Sequence, residues 1–339
     1  MNFAAKITLA AALLSTTASF AQKTNYRMLQ SFPVAGNEKW DYLAINPTTN
    51  NLYIAHGSQV NIINKVNGDS VGVLNNTSGV HGVAFVPALN KGFMSNGKLN
   101  TVTVFDMQTN VEIVQIPVGQ NPDAIMYEPV SGYVFVGNGK SANISVIDPK
   151  ENKLLKSIDL GGKPETAVSD NAGKLYVNIE DKSEIVVLDV KSLAVEAHWP
   201  LGAGKEPSGL AIDPKQMKLF AGCDNEKLIV MDAKTGKAEQ ELPIEEECDG
   251  VAFDPVSQHI FSANGEGTLT VIARNANGKY YVAQNVKTRK GARTLTVDPT
   301  TNKIYLPVAD SESPAGENAQ KHTKPVFKPG SFRVLVVGI

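Results

Sequence analysis

Two sets of residues hold most of the side chains in this sequence that could do chemistry. Asp41, His81, Asp123, Glu165, Ser208, Asp249 and Arg293 each stand directly before an apolar stretch. His56, Asn96, Asn138, Ile179 or Glu180, Cys223, Asn264 and Val308 each close the apolar stretch that follows. Four members of the first set are acidic, so wherever they gather the potential is negative unless Arg293 or a bound cation offsets it. Asp41, His56, His81, Asn96, Asp123, Asn138, Glu165, Asp249, Asn264 and Arg293 are therefore the candidate contacts for a small polar ligand, a peptide or a partner protein. Two imidazoles, His56 and His81, beside Asp41 and Asp123 would also offer the mixed N/O set that a divalent transition ion accepts. The plainer alternative is that each His bonds a loop carbonyl. Cys223 and Cys248 are separated by the same interval as His56 and His81, which predicts neighbouring thiols joined as a disulfide. Asn96, Asn138 and Asn264 each precede a Gly, which suits left-handed turns and would also suit amides that orient a ligand or a hard cation.

These positions recur because the chain repeats. The first set opens seven similar strands, from Asp41–Ile45 through His81–Phe85, Asp123–Tyr127, Glu165–Val168, Ser208–Ile212 and Asp249–Phe253 to Arg293–Val297, at intervals of 40 to 44 residues. Asn46-Pro47, Glu128-Pro129, Asp213-Pro214, Asp254-Pro255 and Asp298-Pro299 end five of them, since Pro fixes φ and the acidic or amide side chain bonds the turn backbone. Second strands such as Tyr133–Val136 and Lys174–Val177 follow. Third strands then run into Asp106, Asp148, Asp189 and Asp232, and polar hairpins such as Lys234-Thr235-Gly236-Lys237 lead into a fourth. Short β-rich strands, four per unit and seven units long, predict an all-β, seven-bladed β-propeller of four-stranded antiparallel blades. The last unit has only three strands, ending at Phe332–Val337. The stretch Tyr26–Val34 supplies the missing outer strand and closes the ring without leaving an open edge.

Other features frame this domain. A basic start, an apolar run over Ile7–Leu14 and small residues ending in Ala21 read as a secretory signal peptide cleaved after Ala21, too short to span a membrane. The mature domain would then cover 22–339, periplasmic or secreted and monomeric, in a compartment that permits disulfides. The sequence carries 32 basic and 34 acidic residues, a net charge of −2, without the basic footprint of a nucleic-acid binder. It has no phosphate loop, Cys-x-x-Cys pair, haem-attachment motif, dinucleotide signature or Ser–His–Asp order. An insertion at 310–330 in the last unit lies where a lid over the ring's mouth would be, with His322 as its candidate functional residue.

The YVTN-like second strands Leu175-Tyr176-Val177-Asn178 and Tyr133-Val134-Phe135-Val136-Gly137-Asn138, with the Asp-ended third strands and the Lys-Thr-Gly-Lys hairpin, resemble the YncE-like, YVTN-repeat family of exported seven-bladed propellers. The resemblance covers the whole mature chain. It implies the fold and leaves chemistry open, because relatives of this architecture include binding proteins and lactonases. Two functions follow as expectations: a ligand- or partner-binding propeller, or a metal-dependent hydrolase in which a divalent cation at the mouth polarises a carbonyl and a carboxylate or His acts as base.

Overall fold

The computed structural model describes residues 24–312 and 326–339. The expected signal peptide and His322 lie outside the described residues. Seven four-stranded antiparallel sheets form a seven-bladed β-propeller, and the helical content described is two 3-10 turns, Pro87–Leu89 and Glu180–Lys182. Blade one runs from Trp40 to Leu74, blade two from Val80 to Pro117 and blade three from Pro122 to Asp159. Blades four, five and six span Pro164–Pro200, Pro207–Pro243 and Cys248–Lys287. Among the described residues no helix is long and apolar enough to cross a membrane.

Blade seven closes the ring as the sequence requires. Its sheet order runs Thr296–Asp298, Lys303–Val308, Arg333–Gly338 and then the N-terminal strand Arg27–Pro33. Arg27 pairs with Gly338 and Pro33 with Arg333. The innermost strand is shorter than the expected Arg293–Val297. Its first residues bond sideways instead, with Thr294 Oγ1 donating to the Asp41 carbonyl of blade one at 2.9 Å. A buried ion pair also bridges the closure, Lys65 Nζ lying 2.6 Å from Asp298 Oδ2.

Burial explains the strand chemistry. Second and third strands lie between neighbouring blades, so both faces are covered and they read as unbroken apolar runs such as Val134–Val136 and Val186–Leu188. Fourth strands form the rim and expose residues such as Ile113, Val114 and Leu155. One aromatic recurs in the second strand of every blade: Tyr53, Phe93, Phe135, Tyr176, Phe220, Phe261 and Tyr305, all at most 2% exposed. The tyrosines among them tie each blade to the next. Tyr53 donates to Asn110 at 2.7 Å, Tyr176 to the Ala233 carbonyl at 2.7 Å, and Tyr305 to the Lys65 carbonyl at 3.0 Å. The tyrosine of the YVTN-like strand is thus an inter-blade fastener, satisfying a hairpin acceptor that burial would otherwise leave unpaired.

Candidate functional site

First strands of neighbouring blades meet around the central channel. In six of them the pairing register slips at the residues that open the strand: between Trp40 and Leu43, Val80 and Val83, Pro122 and Ile125, Pro164 and Ala167, Pro207 and Leu210, and Cys248 and Gly250. A bulge leaves extra residues unpaired and re-aims their side chains. Asp41, His81, Asp123, Glu165, Ser208 and Asp249 sit in these slips, which turns a repeated sequence position into a ring of side chains at one mouth.

The mouth holds a cavity of about 360 Å³, lined by Asp41, Asp123, Glu165, Glu180, Glu206, Asp224 and Asp249 with Tyr42, Lys163, Ser208, Cys248 and Arg293. Seven carboxylates face two fixed cations. His81 joins them from blade two, its Nδ1 2.7 Å from Asp41 Oδ2 and 3.6 Å from Asp123 Oδ1. One ligand atom from each of Asp41, His81 and Asp123 lies within 4.8 Å of the others. On the far side Lys163 pairs with Glu165 at 2.8 Å and with Glu180. Arg293 pairs with Asp249 and reaches the Trp40 carbonyl at 3.4 Å, so it fastens blades seven, six and one as well as lining the cavity.

Crowded negative charge shifts these groups. Burial raises Asp123, and Asp41 adds to it while His81 opposes, leaving the carboxyl at about 6. Burial and the Asp123 charge push Glu165 up to about 8, against the pull of Lys163. Asp249 is raised by burial despite Arg293. Burial lowers His81, but the Asp41 hydrogen bond and the charges of Asp123 and Asp41 outweigh it and carry the imidazole to about 9. Protons are retained here because the protein supplies too few cations of its own.

Apart from Glu180, the second-strand set does not join this mouth. Successive strand residues point to opposite faces, and the expected residues are one position out of phase with it. His56 is 1% exposed and stacks on Phe332 with ring centroids 3.9 Å apart. Its nitrogens lie 3.0 Å from Asn61 Oδ1 and 3.0 Å from the Glu38 carbonyl, so it is a structural His and not a partner of His81 for a metal. Asn96, Asn138 and Asn264 are wholly buried and donate to Thr101 and Thr103, to Asn143 and Ser145, and to Thr268 and Thr270. They brace the second strand against the third and do not reach the mouth.

The same phase error overturns the disulfide. Cys223 and Cys248 are free, buried thiols. Cys223 packs in the core between blades four and five, whereas Cys248 packs between blades five and six. Gly222, not Cys223, faces Cys248: a Cβ at Gly222 would lie 2.5 Å from its Sγ. Burial pushes each thiol up to about 12.

One residue further on, the second strands do reach the mouth. Glu180 and Asp224 occupy that position in blades four and five, and Gly97 does so in blade two, where a Cβ would lie 2.6 Å from His81 Nε2. Sequence reasoning missed Tyr42, Lys163, Glu206 and Asp224. Asp224 lies one residue past the second strand Lys218–Cys223, in a phase set by a first-strand bulge that the sequence does not mark. Lys163 and Glu206 are loop residues with no periodic signal. The stem of the insertion is fixed beside the same mouth: Phe327 packs on Trp40 at 4.7 Å, and Asp310 pairs with Arg289 and Arg333.

No family model matches this chain, and no curated protein matches it. Among solved structures, a chain of Kuenenia stuttgartiensis Hydrazine Synthase superposes with a TM-score of 0.70 at 16% identity, over 80% of this chain and 94% of that one. At that identity the likeness is one of fold, and it agrees with the seven-bladed β-propeller built above.

Proposed function

We propose that this chain is an exported binding propeller of the YncE-like kind whose acidic mouth takes a small, positively charged polar ligand. The observation that carries the reading is the imbalance of the mouth, seven carboxylates against Lys163, Arg293 and the His81 imidazolium beside them. A ligand cation would replace the proton held by Glu165 and offset the charge crowded around Asp123, and so convert a desolvation cost into paired charge. Export rests on the leader pattern ending at Ala21. The test is calorimetric titration of the purified chain at pH 8 with 1,4-diaminobutane and with succinate. Binding of the diamine, weakened about tenfold or more in Asp123→Asn/Glu165→Gln, is expected from loss of two charge partners; preference for the dianion overturns the reading.

A second reading is favoured by the meeting of Asp41, His81 and Asp123 within 4.8 Å. Those three residues would hold a divalent ion once His81 gave up its proton, a ligand set without His56. An ion there would polarise a substrate carbonyl, and a neighbouring carboxylate would act as base, as in a hydrolase. Metal analysis of protein purified without chelator separates the two readings. Stoichiometric metal that His81→Ala loses supports the hydrolase; a metal-free protein under replete conditions removes it.

A further inference from the structure

Tyr42 lines the acidic mouth and also lines a second cavity, of about 160 Å³. This second space is bounded by uncharged residues that follow the bulges, mostly aliphatic, among them Leu43, Val83, Ile125, Met126 and Ala167, with the Thr166 hydroxyl as a polar exception. Met126 and Ala167 in turn line the opposite opening, together with Leu210, Ile212, Val251 and Phe253. In blade one the order along the first strand is Asp41 at the mouth, Tyr42 at the junction and then Leu43; in the other blades the junction position is small, Gly82, Ala124, Thr166, Gly209, Gly250 or Thr294, and the residues beyond it are mostly aliphatic.

We infer that the ligand is an amphiphilic organic cation, a primary ammonium head with an unbranched apolar arm, the head seated among the carboxylates and the arm threaded past Tyr42 into the aliphatic bore. This rests on the cation-binding reading above and specifies its ligand class. Charge complementarity selects the head, since an alkylammonium, like a Lys side chain, stays protonated well above neutral pH. The Tyr42 ring stands where a cation and a methylene stem meet, which suits both its face and its edge. The aliphatic lining selects the arm, because an ion or a second charge carried below Tyr42 would lose its solvation with nothing there to pair it. Length agrees as well. Asp41 to Ile45 spans roughly 13 Å at the rise of a strand, and a six-carbon chain with C–C bonds near ~1.5 Å is shorter than that.

The experiment is a calorimetric series on the wild-type chain with ethylamine, butylamine, hexylamine and 1-hexanol, and with 1,4-diaminobutane as the probe of the mouth alone. Each added methylene in the amines is expected to tighten binding about fourfold, and hexanol to bind at least about tenfold more weakly than hexylamine for want of the ion pair. Ala167→Phe, which fills the bore, is expected to abolish the dependence on arm length while leaving diaminobutane binding intact. Ala124→Leu serves the same purpose if that variant does not fold. Amine affinities that stay flat with arm length, while diaminobutane still binds, overturn this inference and leave the mouth reading standing. Hexanol binding as well as hexylamine also overturns it. Failure of every amine, diaminobutane included, overturns both.

Discussion

The imidazole of His81 in blade two holds the carboxylate of Asp41 in blade one, Nδ1 to Oδ2, at 2.7 Å. The pair bridges two blades at the channel mouth and fixes which way the imidazole faces. Asp41→Asn removes one of the charges that raise His81 and reduces the charge-assisted hydrogen bond to one with a neutral amide oxygen. The His81 pKa is then expected to fall from about 9 by at least about one unit, the shift typical of losing an adjacent opposite charge. Imidazole proton shifts followed against pH by NMR measure this; an unchanged midpoint would contradict the pairing.

Gly97 limits the same imidazole from the other edge. A methyl group there would lie 2.6 Å from Nε2, closer than side chains pack, and the ring is the movable partner. Gly97→Ala is expected to fold, to displace His81 from Asp41, and to lower the His81 pKa much as Asp41→Asn does. A Gly97→Ala protein with the wild-type titration curve would show that the contact does not position the ring.

Raised pKa values at the mouth set a direction for stability against pH. Glu165 keeps its proton to about 8 in the folded chain, while the unfolded carboxyl loses it near ~4.3. The folded state therefore binds more protons across that window, and stability falls as pH rises through it. His81 acts in the same sense: its contribution is complete below its unfolded pKa near ~6.5 and is lost as pH climbs towards 9. The unliganded protein should thus lose Tm steadily from pH 6 to pH 9, with a slope of at most about 1.4 kcal/mol per pH unit for each group. Glu165→Gln should flatten that decline, and a Tm that rises over this range would run against the assignment.

The inter-blade tyrosines offer a test of the frame itself. Tyr176→Phe leaves the Ala233 carbonyl without its buried donor and is expected to cost about 1 kcal/mol in urea unfolding. Tyr305→Phe should cost a similar amount by freeing the Lys65 carbonyl. Phe220→Tyr, at the equivalent position of blade five, offers no such gain unless an acceptor lies within reach. Loss of nothing in either Tyr→Phe variant would remove the fastening role.

Ring closure depends on a charge pair that water barely reaches. Lys65 and Asp298 side chains are 9% and 2% exposed, and Thr300 and Thr301 also donate to Asp298. Lys65→Ala leaves Asp298 buried with those hydroxyls and the Thr300 N–H but no countercharge, which is expected to cost about 3 kcal/mol, at the low end for breaking a buried pair. Chemical denaturation of the two proteins decides it, and a difference under about 1 kcal/mol would place the pair among weak surface contacts.

The repeat made most of the fold legible. Intervals of 40 to 44 residues between Asp41 and Arg293, and the three-strand final unit, led to seven blades and to closure by the N-terminal strand. Half of the site was legible too, because Asp41, His81, Asp123, Glu165 and Asp249 share one repeat position. The rest was not, and the reason is phase. Bulges shift the first strand by a residue against the second, so His56, Asn96, Asn138, Asn264 and Cys223 turn into the interblade core, while Asp224 turns to the mouth and, of Ile179 and Glu180, it is Glu180 that does so. Nothing in the one-dimensional pattern marks a bulge whose extra residue is Tyr42 or Gly82. Lys163 and Glu206 were illegible for a different reason, since a loop brings them in and no period governs a loop.

A paired titration decides whether the carboxylate-rich mouth recognises a cation. Butylamine is titrated at pH 8 into the wild-type chain and into Asp123→Asn/Glu165→Gln, with folding of both confirmed by their Tm. Saturable one-to-one binding to the wild type, weakened about tenfold or more in the double variant as two charge-assisted contacts are lost, is the expected result. Equal affinity for the two proteins, or no binding to either, would contradict it.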